Sequence, residues 1–196
     1  MNSRLLAASR MGAVLLGAVF WVCLPALAQD DPMLSEARKV AGAVPPKLLD
    51  VLNTQIAKDG VASAVTVCQE KAPQMAKAAS EQSGWAIRRV SLRNRNPKAV
   101  PDAWELAALE DFDSRTAVGE KPASLEKYGV VEEAGRKEYR YMKALPVQQV
   151  CVACHGVSEQ IKPEVAERLN ALYPADKATG YAIGQIRGAI TIRKAL

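Results

Sequence analysis

Cys151-Val152-Ala153-Cys154-His155 constrains this chain more than any other stretch. It is the attachment pattern of c-type haem: two thiols separated by two residues reach neighbouring vinyl groups of one porphyrin, and the adjacent imidazole falls under the iron. A thioredoxin-type Cys-x-x-Cys needs a preceding strand and a following helix in a small α/β unit, and it leaves His155 without a role. A zinc site needs further ligands at short spacing, and the sequence lacks them. His155 is also the only histidine in the chain. Bis-histidine ligation within one chain is therefore excluded. The sixth iron position falls to methionine, cysteine, lysine, an amine terminus, water or nothing. The candidates are Cys68, Met33, Met75 and Met142, with the lysines behind them.

The N-terminus says where such a cofactor would be attached. Arg4 and Arg10 precede an apolar run from Met11 to Leu24 that ends in Pro25-Ala26-Leu27-Ala28, the layout of a secretory signal peptide with a small-x-small cleavage site. The run is shorter than the ~20 residues of a bilayer span. Residues 1–28 are read as a cleaved signal that takes Cys23 with it, and residues 29–196 as a single domain. Cleavage removes two arginines and no acid, lowering the net charge from +5 to +3. The remaining charges are interspersed along the chain and form no basic stripe for nucleic acid. Export from a Gram-negative type of cell delivers the protein to the periplasm, an oxidising compartment where unpaired thiols are uncommon. Cys68 is the mature thiol left over from haem attachment, and it is either a soft iron ligand or a small core residue.

Along the chain, residues from Asp31 to about Gly84 have a helical pattern, with Pro45-Pro46 opening a helix from Lys47 and Asp59-Gly60 breaking it. A second helix is expected from about Val61 to Glu81, with Cys68 and Met75 on its apolar stripe. Trp85 to Arg93 alternates and reads as a strand. Arg88, Arg89, Arg93 and Arg95 form a basic cluster, read either as a solvated loop or as a partner for a haem propionate. Asp102 opens a helix through Trp104, Leu106, Leu109 and Phe112. Two runs between Tyr128 and Val150, parted by Gly135, read as a hairpin that leads into the haem motif. Pro163 opens a helix to Tyr173, and Gln185 to Arg193 reads as a final strand. This order argues an α+β fold with an antiparallel sheet.

These residues resemble the PAS-like c-type haem domain family. The resemblance rests on Cys68 with Ala72-Pro73, on Arg89 to Pro97 with Pro101-Asp102-Ala103-Trp104-Glu105, on the haem motif, and on Tyr173-Pro174 through Gly180-Tyr181 to Arg187-Gly188-Ala189-Ile190. It covers most of the mature chain. Val90 stands where threonine is expected and Gln185 where an acidic residue is expected, which bears on pocket polarity. The resemblance implies an antiparallel sheet flanked by helices with a long N-terminal helical segment. It also implies one haem c held by Cys151 and Cys154, with His155 as proximal ligand and a distal cysteine thiolate that falls on Cys68.

Three functions compete. A periplasmic sensor would use a redox change or a small ligand such as nitric oxide to displace Cys68 and would signal to a separate partner protein. An electron carrier would keep both ligands in both oxidation states and exchange electrons with a redox partner. An enzyme needs an open iron position with acid-base groups beside it, and the chain has no distal histidine, so a non-enzymatic role is expected. Any of these needs the cytochrome c maturation machinery. The expected mature start is Gln29. Intact mass of protein recovered from the periplasm tests this, and a mass that retains residues 1–28 would mean an anchored protein instead.

Overall fold

The structure, a computed structural model, describes residues 31–196; the expected signal peptide lies outside them. Four strands, β1 (Ala86–Val90), β2 (Glu126–Glu133), β3 (Arg136–Pro146) and β4 (Ile186–Ala195), form one antiparallel sheet in the order β1-β4-β3-β2. The helices are α1 (Pro32–Thr66), α2 (Ala72–Ser83), α3 (Ala103–Ala117), α4 (Val152–His155) and α5 (Pro163–Leu172). The α+β class and the long N-terminal helical segment agree with the sequence reading.

Both faces of the sheet are covered. On one face α1 lays Leu34, Ala37 and Ala41 against Trp85, Ile87, Tyr139, Tyr141, Ile190 and Ile192. The i, i+3, i+7 spacing puts these three residues on one helix face, and two alanines let the helix axis come close to the strands. Trp85 donates its indole N–H to Glu36 at 3.0 Å and meets Tyr139 edge-on at 6.1 Å between ring centroids. Tyr139 in turn donates to Asp31, the N-cap of α1, at 2.7 Å. The start of the helix is therefore tied to the middle of the sheet.

On the other face α3 packs Ala108, Leu109 and Phe112 against Val90, Met142, Ala144 and Ala189. Asp102 and Glu105 form a capping box that starts α3, as the sequence suggests. Glu105 is also a buried counter-ion: it pairs with Arg88 and lies 3.3 Å from Arg140, whose guanidinium reaches Asp102 at 2.5 Å and stacks 4.7 Å from the centre of the Trp104 ring. An arginine in a central strand is tolerated because this pair of carboxylates meets it.

The N-terminal helical segment departs from expectation at two places. Pro45 and Pro46 lie inside α1 and do not start a new helix. The expected break falls at Gly60, whose φ of 81° and ψ of 172° are non-helical. Only glycine enters that region without strain, so Gly60 re-aims the last turns of α1 toward α5. The second departure is a π-helical stretch over Val67–Lys71. Its cause is legible: Pro73 has no N–H to offer the Gln69 carbonyl, and its ring would clash there. The Ala72 N–H therefore skips back to Val67 O and the helix widens by about one residue. Gly60→Ala is expected to cost about 1–3 kcal/mol of stability, read as a fall in urea midpoint at unchanged m-value; an unchanged midpoint would mean that the bend is not held by glycine.

Candidate haem site

The attachment motif begins where β3 ends. A 3₁₀ turn over Gln149–Cys151 leads directly into the single helical turn of α4, so Cys151, Cys154 and His155 share one short coil. Gly156 ends it. A Cβ there would lie 2.5 Å from the Val152 carbonyl oxygen, so the residue after the histidine must be glycine for steric reasons, a constraint that spacing alone does not reveal. The His155 and Gly156 carbonyls then accept from Tyr181 N at 2.9 Å and Gly180 N at 2.6 Å. This pins the loop before β4 under the motif.

The imidazole is oriented by that loop. Nδ1 of His155 lies 2.7 Å from the Ala178 carbonyl, which can only accept, so Nδ1 carries the proton and Nε2 keeps a free lone pair. Arg187 Nε lies 3.2 Å from Nδ1 and 3.5 Å from Nε2. With Nδ1 already donating, it cannot also accept from Arg187, whose guanidinium is a charge lying against the ring. Burial, with the charges of Arg187 and Arg95, pulls the imidazole pKa down to about 2, so the ring is neutral and a competent metal donor.

Ala178 is itself held. Asp176 accepts its N–H at 2.8 Å and pairs with Arg95 Nε at 2.9 Å, while Arg95 Nη2 donates to the Cys154 carbonyl at 2.6 Å. Arg95 and Asp176 are almost wholly buried, with side-chain exposures of 7% and 11%. Asp176 thus fixes the acceptor of His155 while its partner fixes Cys154. Sequence reasoning did not single out Asp176; its turn with Pro174 and Ala175 was the only signal.

Cys68 comes to this site from the far end of the chain. It lies in the π-helical stretch, half-buried like Cys151 and Cys154, and all three thiols are free. Cys154 packs with Val65 of α1 and with Val165, Leu169 and Tyr173. Cys68, Cys151 and Cys154 are close enough to feel one another's charge, as is Tyr173 to Cys68. Burial pushes the Cys68 thiol up, against the pull of Arg89, Arg95 and Arg187, and it pushes Cys154 up to about 11. Among the described residues no three His, Cys, Asp or Glu side chains form a group that could hold a metal ion. These side chains do not close into a zinc-type cluster.

The rival ligands fare differently. Met142 is wholly buried beneath α3, and Met33 packs against the α1 face of the sheet. Met75 is half-buried on α2. The sequence places it in line with Cys68, but the extra residue of the π turn rotates the downstream residues by about 100°, so the two do not share a face. The basic cluster is also dispersed. Arg88 pairs with Glu105, Arg93 donates to Thr179 O at 3.1 Å and covers the Tyr181 ring at 3.7 Å, and Arg95 is taken by Asp176.

Fold and site together define a PAS-like α+β domain that brings a Cys-x-x-Cys-His turn near a thiol distant in sequence. Residues 27–194 match the family model described as Tll0287-like. The chain belongs to the Tll0287-like family. A solved chain described as the crystal structure of the cyanobacterial heme-protein Tll0287 is similar at a TM-score of 0.62 and 23% identity, over 83% of this chain and 94% of that one. No curated protein matches this chain.

Asp176→Ala leaves Arg95 buried without its counter-ion, which is expected to cost about 3–5 kcal/mol. Arg95→Met with Asp176→Leu should recover part of that loss. Urea unfolding of the single and double variants measures both, and equal losses would mean that the pair is not the source.

Proposed function

We propose that the chain is an exported, non-enzymatic c-type haem protein, a periplasmic redox or small-ligand sensor that binds one haem through Cys151 and Cys154. His155 is its proximal ligand and Cys68 its distal ligand. The observation that carries the reading is the His155 ring. Its Nδ1 is committed to Ala178 O at 2.7 Å, the kind of bond by which proteins fix the tautomer of a ligating histidine. The similar solved chain, described as a heme-protein, supports haem binding.

Each residue has a distinct task. The thiols of Cys151 and Cys154 tether the porphyrin by thioether bonds, Nε2 of His155 gives its free lone pair, and Cys68 offers sulfur from the opposite segment. A buried thiol with a raised pKa stays protonated by itself and ionises on meeting a metal ion. When bound, haem c supplies an iron that favours thiolate when ferric and holds it less well when ferrous. The sensor reading is supported by where Cys68 sits: it lies in a π-helical stretch with no side-chain hydrogen bond among the described residues, so nothing but packing and a metal bond would hold the thiol in place. Any signal would pass to a separate partner protein. An electron carrier would instead keep Cys68 in place in both oxidation states.

Haem staining of the denatured band should be lost in Cys151→Ala with Cys154→Ala. Cys68→Ala should convert the low-spin ferric spectrum to high spin or recruit another ligand, whereas Met75→Leu should leave it unchanged. A spectrum disturbed by Met75→Leu and untouched by Cys68→Ala would reverse the assignment. Spectra of both oxidation states with and without nitric oxide separate the roles, because an unchanged ligand set throughout supports the carrier.

A further inference from the structure

The arginines around the site are not all balanced, and the imbalance has the charge of a ligand. Arg89, Arg95 and Arg187 are the cations whose fields reach both His155 and Cys68. Arg95 is neutralised by Asp176 at 2.9 Å. Arg187 is half-buried, yet among the described residues it has no carboxylate within ion-pair distance. Its Nη1 donates to Ser91 Oγ at 2.9 Å and Arg93 O at 3.2 Å, and its Nε faces the His155 ring. Its Nη2 makes no hydrogen bond among the described residues. Arg89 projects from β1 with no ion pair or side-chain hydrogen bond among them. A partly desolvated guanidinium without a counter-ion is costly, and that is the position of Arg187; Arg89 is exposed on β1, and its charge reaches Arg187.

We propose that Arg187, with Arg89 beside it, is the carboxylate clamp of this site and receives the two propionates of the covalently held haem. The proposal rests on the haem reading above. Two uncompensated cations match two carboxylates, and the guanidinium fork suits a carboxylate better than a point charge does. Ser91 and the Arg93 carbonyl hold Arg187 by one nitrogen and leave the other for the ligand. Gly188 is what lets β4 carry this arginine so close to the end of β1, because a Cβ there would lie 2.3 Å from the Val90 carbonyl oxygen. The same cations would also attract a free anion such as nitrite or sulfite, so the test must separate the two sources.

The full chain is matured with haem in wild type, Arg187→Leu, Arg187→Lys, Arg89→Leu and, as an equal loss of charge at an exposed site, Arg193→Gln. Haem staining comes first. A wild-type band without haem overturns the haem reading and the clamp together, and is distinguishable from failure of the clamp alone. With haem present, resonance Raman reads the propionate bending mode, whose frequency follows hydrogen bonding to the carboxylate. The mode should shift down in Arg187→Leu and in Arg89→Leu, lie between in Arg187→Lys, and stay put in Arg193→Gln. If Arg187→Leu does not fold, Arg187→Lys still decides, because a wild-type frequency there overturns the clamp. An unshifted mode in Arg187→Leu, with loss of a sulfite- or nitrite-induced spectral change seen in wild type, would assign Arg187 to a free anion and also overturn it.

Discussion

The pair formed by Arg95 and Asp176 holds the site in register. A buried ion pair is seldom a large source of stability, because desolvation offsets most of the attraction. Its value here is positional. Asp176 takes the Ala178 N–H and so aims the Ala178 carbonyl at His155, while Arg95 grips the carbonyl of Cys154. Two loops distant in sequence are thereby locked to a turn too short to hold its own shape: α4 has four residues, and isolated helices of that length do not persist in water. The attachment motif is ordered from outside.

The Cys68 side is built on a different principle. α1 is anchored to the sheet by small residues and by Trp85 and Tyr139, then bent at Gly60 and widened before Pro73. Each device has a local cause, a glycine-only backbone region in one case and a missing N–H in the other. Together they set the direction from which Cys68 approaches. The thiol is held by backbone register, with no side-chain hydrogen bond of its own among the described residues. It is the more easily moved of the two sides, in keeping with the role proposed for it.

Much of the fold is legible in the chain. The capping box at Asp102, the Gly135 turn, the break at Gly60 and the last strand are all set by short-range chemistry, and each lies where that chemistry puts it. The continuous helix through Pro45 and Pro46 is not legible. A proline pair lowers helix propensity, and only the sheet beneath α1 sustains the helix across it. The π turn is hidden for a related reason: periodicity assumes a constant step of 3.6 residues, and a single skipped hydrogen bond moves Met75 off the line of Cys68. The arginine cluster misleads because residues adjacent in sequence point to opposite faces of a strand. Arg88 goes to Glu105, while Arg89 faces the other way.

By itself the sequence determined the inventory of candidate donors. One Cys-x-x-Cys-His, one histidine and the thiol of Cys68 come from residue identity and spacing, because the geometry of such a motif is local and the list of candidates is a matter of inventory. What only the tertiary structure decided is which of these groups meet, and under whose charge. Cys68 stands near Cys154 because α1 bends toward α5. His155 presents Nε2 because a carbonyl from a later loop claims Nδ1, and Arg187 lies against the ring because Gly188 lets β4 close on β1. Such contacts join segments far apart in the chain. They depend on how the sheet and helices pack, and no local pattern carries that information.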